Sequence, residues 1–313
     1  MTDRRAFLGA VAAAGAAASL PRPASAVEAL RVLSVPVEIA LELDYGQPRG
    51  FAEQSGLALD VQFLNNGAAT ISAVVAGAAE IATTTMITAI SAYQKNIPVS
   101  IIAPGALYSS KVPTTVLMVS KDSPYQNARD LAGKTIGVDA LKNITQIAVA
   151  NWLDKNGADS KAVRFVEMPF ADMPGALAAK RIDAAYIAEP GATRARADAR
   201  VLAAAYDAIA PAFLLGAWVA RTDWIAAHVD TVKRFATVVQ KCAAYSNANH
   251  ESTLPILERI TKIDAATAAV MPRATYAERL DPALIRPVID VGVKYGIVGA
   301  GLKAEDLIAP QVR

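Results

Sequence analysis

The fold is decided by the stretch Met173-Pro174-Gly175-Ala176-Leu177-Ala178-Ala179-Lys180-Arg181-Ile182-Asp183-Ala184-Ala185-Tyr186-Ile187-Ala188-Glu189-Pro190. Its first half predicts a helix that begins at Asp172, with Pro174 in the first turn, where a proline has no amide hydrogen bond to lose. Its second half, from Asp183 to Ala188, is a short apolar run typical of a buried strand. A helix followed by a strand is the repeating unit of α/β proteins, so the stretch predicts that fold class.

The same alternation extends from Arg31 to about Tyr206 and indicates parallel α/β sheets. The helix that starts at Asn143 opens with Asn-x-x-Gln, a pattern typical of a capping box. The predicted strands are Leu30–Val35, Leu57–Leu64, Glu80–Thr84, Val99–Ala103, Thr115–Ser120, Thr135–Val138, Val163–Met168, Asp183–Ala188, Arg200–Ala205 and Phe213–Val219.

The carboxy-terminal third has a different character. From Asp223 to about Ile308 the apolar residues recur with helical period, and the helices are expected to break at Pro255, Pro272, Pro282 and Pro287. Two α/β series followed by a helical segment predict two lobes. We expect residues 27–112 to form the first part of lobe I, residues 113–212 lobe II, and residues 213–313 a return to lobe I. The Pro- and Gly-containing stretch Pro104–Pro113 is the expected first crossing.

The amino terminus reads as an export signal of the twin-arginine type. Asp3-Arg4-Arg5-Ala6-Phe7-Leu8 precedes an apolar run from Gly9 to Leu20 and the small-residue site Ala24-Ser25-Ala26. The apolar run is shorter than the roughly 20 residues of a membrane anchor. We therefore expect residues 1–26 to be removed and the rest to be exported to the periplasm; the alternative is a frayed amphipathic first helix.

The charge balance argues against nucleic acid as a partner. Without Arg4, Arg5 and Arg22 the 31 basic residues fall to 28, and without Asp3 the 29 acidic residues also fall to 28. No basic excess is left to attract phosphates. The single cysteine, Cys242, excludes an intramolecular disulfide and shares a helical stripe with apolar residues, so we expect it to be buried.

Catalytic and metal-binding patterns are absent from the sequence. The two histidines, His228 and His250, lie in the carboxy-terminal helical region, and no nucleophile elbow, zinc-protease or Walker motif occurs. The glycine-rich segment Gly296–Gly301 follows a helical pattern and predicts a helix stop. The sequence thus predicts neither catalytic residues, nor a metal site, nor a cofactor.

Binding segments follow instead from the strand ends. In parallel sheets, ligands bind beyond the carboxyl ends of strands, near the amino termini of helices. This rule selects Ser34–Ile39, Asn65–Thr70, Thr83–Met86, Asp139–Gln146 and Ala188–Pro190. Each polar residue there has an alternative role as a helix cap. Glu189 follows a buried strand, and it is expected either to bind a ligand donor or to pair with Arg194 or Arg196.

At this point a family resemblance can be named. The segments Asp130–Val138, Leu153–Asp159 and Met173–Pro190 look like the second lobe of periplasmic substrate-binding proteins of ABC transporters. The closest in pattern are the nitrate, sulfonate, taurine and thiamine-pyrimidine-precursor binders. Trp224–His228 with Val232–Phe235 is similar to their W-x-x-x-(H/N)-P…V-x-R-F helix, although Val229 stands where proline is common.

The resemblance implies a type II periplasmic binding protein fold: two doubly wound α/β lobes with two crossings and a helical carboxy-terminal segment. Such a monomer would close over one small ligand and deliver it to a membrane ABC permease. The implied ligand contacts are Pro36, Val37, Gly67, Ala68, Thr70, Thr84, Thr85, Met86, Asn143, Ile144, Thr145 and Glu189.

One departure from the family pattern bears on the ligand. The lobe II turn carries the bulky residues Leu141 and Ile144 where sulfonate binders have small ones, which favours a ligand with an apolar or aromatic body. We expect a sulfonate or carboxylate head on such a body. The alternatives are a pyrimidine or thiamine precursor, nitrate, or an enzyme on the same fold. An unpaired Glu189 in the cleft favours an amine or a pyrimidine, whereas a Glu189 neutralised by a cation such as Lys142 keeps the anion possible.

Overall fold

The computed structural model describes residues 27–313, so the predicted export signal lies outside the described residues. The strands are β1 (Glu28–Ser34), β2 (Leu57–Phe63), β3 (Ile81–Thr85), β4 (Val99–Pro104), β5 (Ala106–Ser109), β6 (Thr115–Ser120), β7 (Thr135–Val138), β8 (Arg164–Glu167), β9 (Ala184–Ala188), β10 (Ala199–Ala203), β11 (Ala212–Leu214), β12 (Gly216–Arg221) and β13 (Thr275–Tyr276). The helices are α1 (Glu42–Gly46), α2 (Phe51–Gln54), α3 (Gly67–Val75), α4 (Met86–Gln94), α5 (Ile144–Lys155), α6 (Met173–Ala178), α7 (Gly191–Ala195), α8 (Thr222–Ala227), α9 (Val229–Ala248), α10 (His250–Thr261), α11 (Ala265–Val270) and α12 (Pro282–Lys294).

Two five-stranded sheets organise the chain, and we name each sheet with its covering helices a lobe. The sheet of lobe I has the order β2-β1-β3-β12-β4, and that of lobe II has the order β10-β6-β9-β7-β8. Strands β1, β2 and β3 are parallel, as are β7, β8 and β9. The structure differs from a purely parallel arrangement because β12 runs antiparallel to β3 and β4, and β6 antiparallel to β9 and β10.

The connections between the lobes are packed together. The chain leaves lobe I through β5 and returns through β11, and these two strands pair antiparallel with β13 on the other edge of β5. The ring of Tyr206 lies 5.1 Å from Tyr108, 5.0 Å from Tyr186 and 5.5 Å from Phe213 between centroids. Such edge-to-face contacts between buried rings add stability beyond the area they bury. The crossings are therefore packed into the main hydrophobic core, which includes residues of both lobes.

The sequence predicts one strand over Phe213–Val219, and this prediction is wrong. The structure has two strands there, β11 and β12. The chain changes sheets at Leu215, whose N–H donates to the carbonyl of Ala106 while its own carbonyl accepts from the N–H of Met86. Both sides of the change are buried, so hydrophobicity stays high throughout and gives no sign of it. The expected first crossing, Pro104–Pro113, likewise contains the strand β5.

The carboxy-terminal segment is mostly helical, but two of its prolines do not end helices. Pro255 lies inside α10 and Pro287 inside α12, while Pro282 stands in the first turn of α12. Burial of the apolar faces, with Leu257 and Ile285 fully buried, outweighs the backbone hydrogen bond that each interior proline loses.

The buried thiol is confirmed. Cys242 is 2% exposed on α9, in line with the buried Val232, Phe235 and Val239. A Cβ added at Gly46 would lie 2.1 Å from the Cys242 sulfur, so the close contact between α1 and α9 requires a glycine there. Between residues 27 and 313, no helix combines the length and the apolar character needed to cross a bilayer.

Candidate functional site

The two lobes meet where β3 ends and α5 begins. The Thr85 hydroxyl of lobe I donates to the side-chain oxygen of Asn143 in lobe II, 3.0 Å away. The same oxygen accepts the N–H of Ile144 and so caps α5. Two of the segments selected from the sequence are thus in direct contact across the lobes, which locates the candidate site.

The lobe I side of the site is tightly built around Gly67. A Cβ at this position would lie 2.5 Å from the Thr84 hydroxyl oxygen, and that hydroxyl donates to the Gly67 carbonyl at 3.1 Å. The fully buried Thr70 donates to the carbonyls of Gly67 and Thr83. The N–H of Ala68 is taken by the capping side chain of Asn66. These hydroxyl and amide protons therefore hold the loop in place.

The start of α4 has fewer groups available to a ligand than the sequence predicts. The Met86 N–H donates to the Leu215 carbonyl at 2.9 Å, and its side chain is 1% exposed in the core. Thr85 is half-buried, and its hydroxyl also contacts that of Thr88 at 2.8 Å. Of the segment Thr84–Met86, Thr85 is therefore the residue whose side chain reaches the other lobe.

The loop after β1 is held by a contact that the sequence does not predict. Pro36 is exposed and Val37 half-buried, but the next residue, Glu38, is 1% exposed. Its carboxylate forms an ion pair with Arg273 and accepts the N–H of Ala274. Glu38 thus anchors the loop that carries Pro36 and Val37. No local pattern marks this pair, since the partners lie 235 residues apart.

In lobe II, the turn before α5 is organised by Asp139. Its carboxylate accepts the hydroxyl of Thr145 and the side-chain N–H of Asn143. Burial raises the pKa of Asp139, and these hydrogen bonds oppose the rise. Ile144 is packed in the core at 2% exposure, whereas Leu141 is 47% exposed. Of the two bulky residues noted in the sequence, Leu141 alone has a free surface.

Glu189 is buried but carries no ion pair within the described part of the chain. It is 4% exposed, and one carboxylate oxygen accepts the Thr193 N–H at 2.9 Å. Neither Arg194 nor Arg196 comes within ion-pair distance, and Lys142 is exposed. Burial raises the pKa of Glu189, and the distant charge of Arg196 lowers it only in part. Of the outcomes left open by the sequence, pairing with an arginine or a lysine does not occur.

The buried carboxylates of the two lobes differ in their partners, because Glu38 of lobe I is paired with Arg273 and Glu189 of lobe II has no cation in ion-pair distance. Burial raises the pKa of Glu38, Arg273 opposes this, and the charge of Glu189 raises it again. Since Arg273 is already paired with Glu38, it does not offset Glu189. A positively charged or hydrogen-donating group between the lobes would satisfy this charge.

Both histidines lie in the carboxy-terminal helical segment, as the sequence predicts. His228 stacks on Trp224, with ring centroids 4.7 Å apart. The carbonyl of His250 accepts a hydrogen bond from Arg273, which in turn pairs with Glu38. Burial and the charge of Arg273 lower the pKa of His250. In residues 27–313 no group of three or more possible metal ligands comes together.

Comparison with known proteins gives the family. Residues 43–252, more than half of the chain, match the family model described as NMT1/THI5 like. The chain belongs to the NMT1/THI5-like family. Among its relatives, a protein of Brucella abortus (strain 2308), provisionally named a binding protein, is 26% identical over 255 residues, which are 74% of each chain.

Solved structures show a similar fold. The periplasmic aliphatic sulphonate binding protein SsuA from Escherichia coli is 17% identical, with 90% of this chain and 92% of that chain covered at a TM-score of 0.73. The periplasmic nitrate-binding protein NrtA from Synechocystis PCC 6803 is 12% identical, with 91% and 86% covered at a TM-score of 0.76. The predicted periplasmic-binding-protein fold class is confirmed.

Proposed function

We propose that this protein is the extracytoplasmic solute-binding component of an ABC importer, which captures a small organic ligand between its lobes. Two α/β lobes joined by paired crossings, with Thr85 and Asn143 meeting between them, support a cleft that closes around a ligand. Fold neighbours are named as sulfonate- and nitrate-binding periplasmic proteins. The role is binding and delivery to a membrane permease by an exported monomer, without catalysis. Export by the twin-arginine route to the periplasm is part of the proposal.

The ligand proposed here carries a hydrogen-bond donor, as an amine or an amino-substituted heterocycle such as a pyrimidine does. The observation that supports this choice is Glu189, buried at the lobe interface without a cation in ion-pair distance. A ligand group that donates a hydrogen bond would satisfy Glu189, whereas a sulfonate, carboxylate or nitrate would bring a second acceptor next to it. The anionic ligand expected from the family resemblance is therefore the second candidate. The exposed Leu141 supports an apolar or aromatic part on either ligand.

A thermal-unfolding screen followed by calorimetry tests both candidates. Aminopyrimidines and small organic amines are compared with alkanesulfonates, aromatic carboxylates and nitrate. A ligand at 100 times its Kd stabilises a protein by about 2.7 kcal/mol. Binding of a donor ligand should weaken in Glu189→Gln and stay unchanged in Asp198→Asn, which alters an exposed lobe II carboxylate. The anionic ligand would be established instead if two results are obtained together. The parent protein would bind no donor ligand, and Glu189→Gln would bind a sulfonate or nitrate more strongly than the parent protein does.

A further inference from the structure

Lobe II contains a groove away from the contact between the lobes. Its volume is about 720 Å³, within the range of small-molecule sites. The groove lies along the edge strand β8 and is bordered on the other side by α6. We name it the β8 groove; its lining includes Thr135, Arg164, Val166, Met168, Gly175 and Arg181, together with one carboxylate, that of Asp172.

The β8 groove exists because the sheet of lobe II is covered only in part. Helix α6 is six residues long and packs against β9, β6 and β10, whereas β7 and β8 lie beyond β9. Strands in sheets of this kind are normally covered on both faces. Here the half-buried Val166 and Met168 stay at the surface of the groove. Both side chains pack in part against the buried cluster under α6, and their remaining surface lines the groove, where an apolar ligand group can contact it.

One end of the β8 groove is positively charged. Arg164 and Arg181 both lie at the amino-terminal edge of the strands, and neither forms an ion pair within residues 27–313. Arg164 donates to the Thr135 hydroxyl at 2.8 Å, which holds its guanidinium in the groove. The carboxylate of Asp183 is occupied by the Thr135 N–H and the Tyr125 hydroxyl. Two guanidinium groups without an ion-pair partner thus lie at this end of the groove, whereas its one carboxylate, Asp172, stands at the start of α6.

We propose that the β8 groove binds a small amphiphilic anion, with its carboxylate or sulfonate at Arg164 and Arg181 and its apolar chain along Val166 and Met168. The charged end and the apolar walls together determine this class of ligand. A cation would be repelled by the arginines, and a short anion would leave the apolar walls exposed to water. This site is separate from the cleft and does not depend on the proposed transport function.

Gly175 provides a way to fill the β8 groove without disturbing the fold. It lines the groove from α6, and a Cβ at this position would meet no atom within 4 Å. Its backbone is helical, so a larger residue is not strained there. Gly175→Leu should therefore fold normally and occupy the space of the ligand's chain.

The test measures octanoate binding to the full purified chain by calorimetry, with octylammonium and acetate as comparison probes. We expect octanoate to bind and the other two to bind at least tenfold more weakly. Arg164→Gln and Arg181→Gln should each weaken octanoate binding by roughly tenfold, and Gly175→Leu should abolish it. Arg286→Gln, which alters an exposed arginine of lobe I, should leave it unchanged.

A second measurement keeps the test independent of variant folding. Amide hydrogen exchange of residues 164–168 in the parent protein should slow on adding octanoate. Glu189→Gln should bind octanoate normally, which separates this site from the cleft. Equal binding of octanoate and octylammonium, or octanoate binding that survives Gly175→Leu in a correctly folded variant, would overturn the proposal. So would failure of octanoate to bind or to protect residues 164–168.

Discussion

Arg273 and Glu38 form an ion pair that is almost completely excluded from water, with side chains 9% and 1% exposed. The guanidinium also donates to Thr253 and to the carbonyl of His250, while the Tyr276 hydroxyl donates to the Glu38 carbonyl. The loop after β1 is thus tied to the carboxy-terminal segment in addition to its own local hydrogen bonds, such as that from the Ser34 hydroxyl to the Ala40 carbonyl. The conformation of this lobe I loop therefore depends on residues at the far end of the chain.

Removing Arg273 should be costly, because it leaves the carboxylate of Glu38 buried and unpaired. We expect Arg273→Ala to lower the free energy of unfolding by roughly 3–5 kcal/mol in urea denaturation. The matched control is Arg286→Ala, which breaks an exposed pair with Asp290 and should cost about 1 kcal/mol or less. Similar losses in the two variants would show that the buried pair is not what anchors the loop.

Stability should fall as the pH rises because of Glu42. This side chain is fully buried, accepts the indole N–H of Trp218 at 2.7 Å with one oxygen and leaves the other unpaired. Burial raises the pKa of Glu42 to about 8, against an ordinary value of 4.5. The folded protein therefore keeps a proton that the unfolded chain releases, and the resulting stability is lost as the pH rises from about 4.5 to 8.

This prediction is tested by urea denaturation of the parent protein and of Glu42→Gln at pH 5 and pH 8, with tryptophan fluorescence as the signal that reports unfolding. Glu42→Gln should lose less stability than the parent between the two pH values. Asp44, whose pKa burial raises to about 7, keeps some dependence in the variant. An unchanged slope in Glu42→Gln would mean that Glu42 ionises normally in the folded protein.

The contact between the lobes can be tested at Asn143. Asn143→Ala removes the acceptor for Thr85 together with the cap of α5. We expect ligand affinity to weaken by about 1–3 kcal/mol, as measured by calorimetry with the ligand identified in the screen. Asn127→Ala is the control, since Asn127 caps a short helix away from the site. Equal affinity in both variants would remove Asn143 from the binding site.

The sequence predicts local elements well and distant partnerships poorly. It places β6 at Thr115–Ser120 and β7 at Thr135–Val138, as observed, because short apolar runs between turn residues decide such strands. It also places Asn143 at the start of α5. It joins β11 and β12 into one strand because a change of sheet leaves hydrophobicity unaltered.

For the candidate site, too, the sequence predicts which local segments take part but not the contacts between distant residues. Strand ends and helix starts identify Thr85, Asn143 and Glu189 as residues near the lobe interface, since topology alone brings such segments to one edge. The anchoring of Glu38 by Arg273 depends on tertiary contacts across 235 residues. The groove along β8 depends on how far α6 reaches across the sheet, which helix length alone does not reveal.

Gly67 should be the least replaceable residue of the lobe I loop. A methyl group at this position would lie 2.5 Å from the Thr84 hydroxyl oxygen and 3.1 Å from the Thr84 Cα, so side-chain rotation alone does not make room. We expect Gly67→Ala to destabilise the fold by about 1–3 kcal/mol, as overpacking does, and to weaken ligand binding because β3 and the start of α3 must move apart. The matched control, Gly175→Ala, adds a methyl group in open space on a helix and should stabilise the protein by about 0.5–1 kcal/mol. Thermal and urea unfolding of the two variants compare them directly. If Gly67→Ala is as stable as Gly175→Ala, the close approach of Gly67 to Thr84 is not required by the fold.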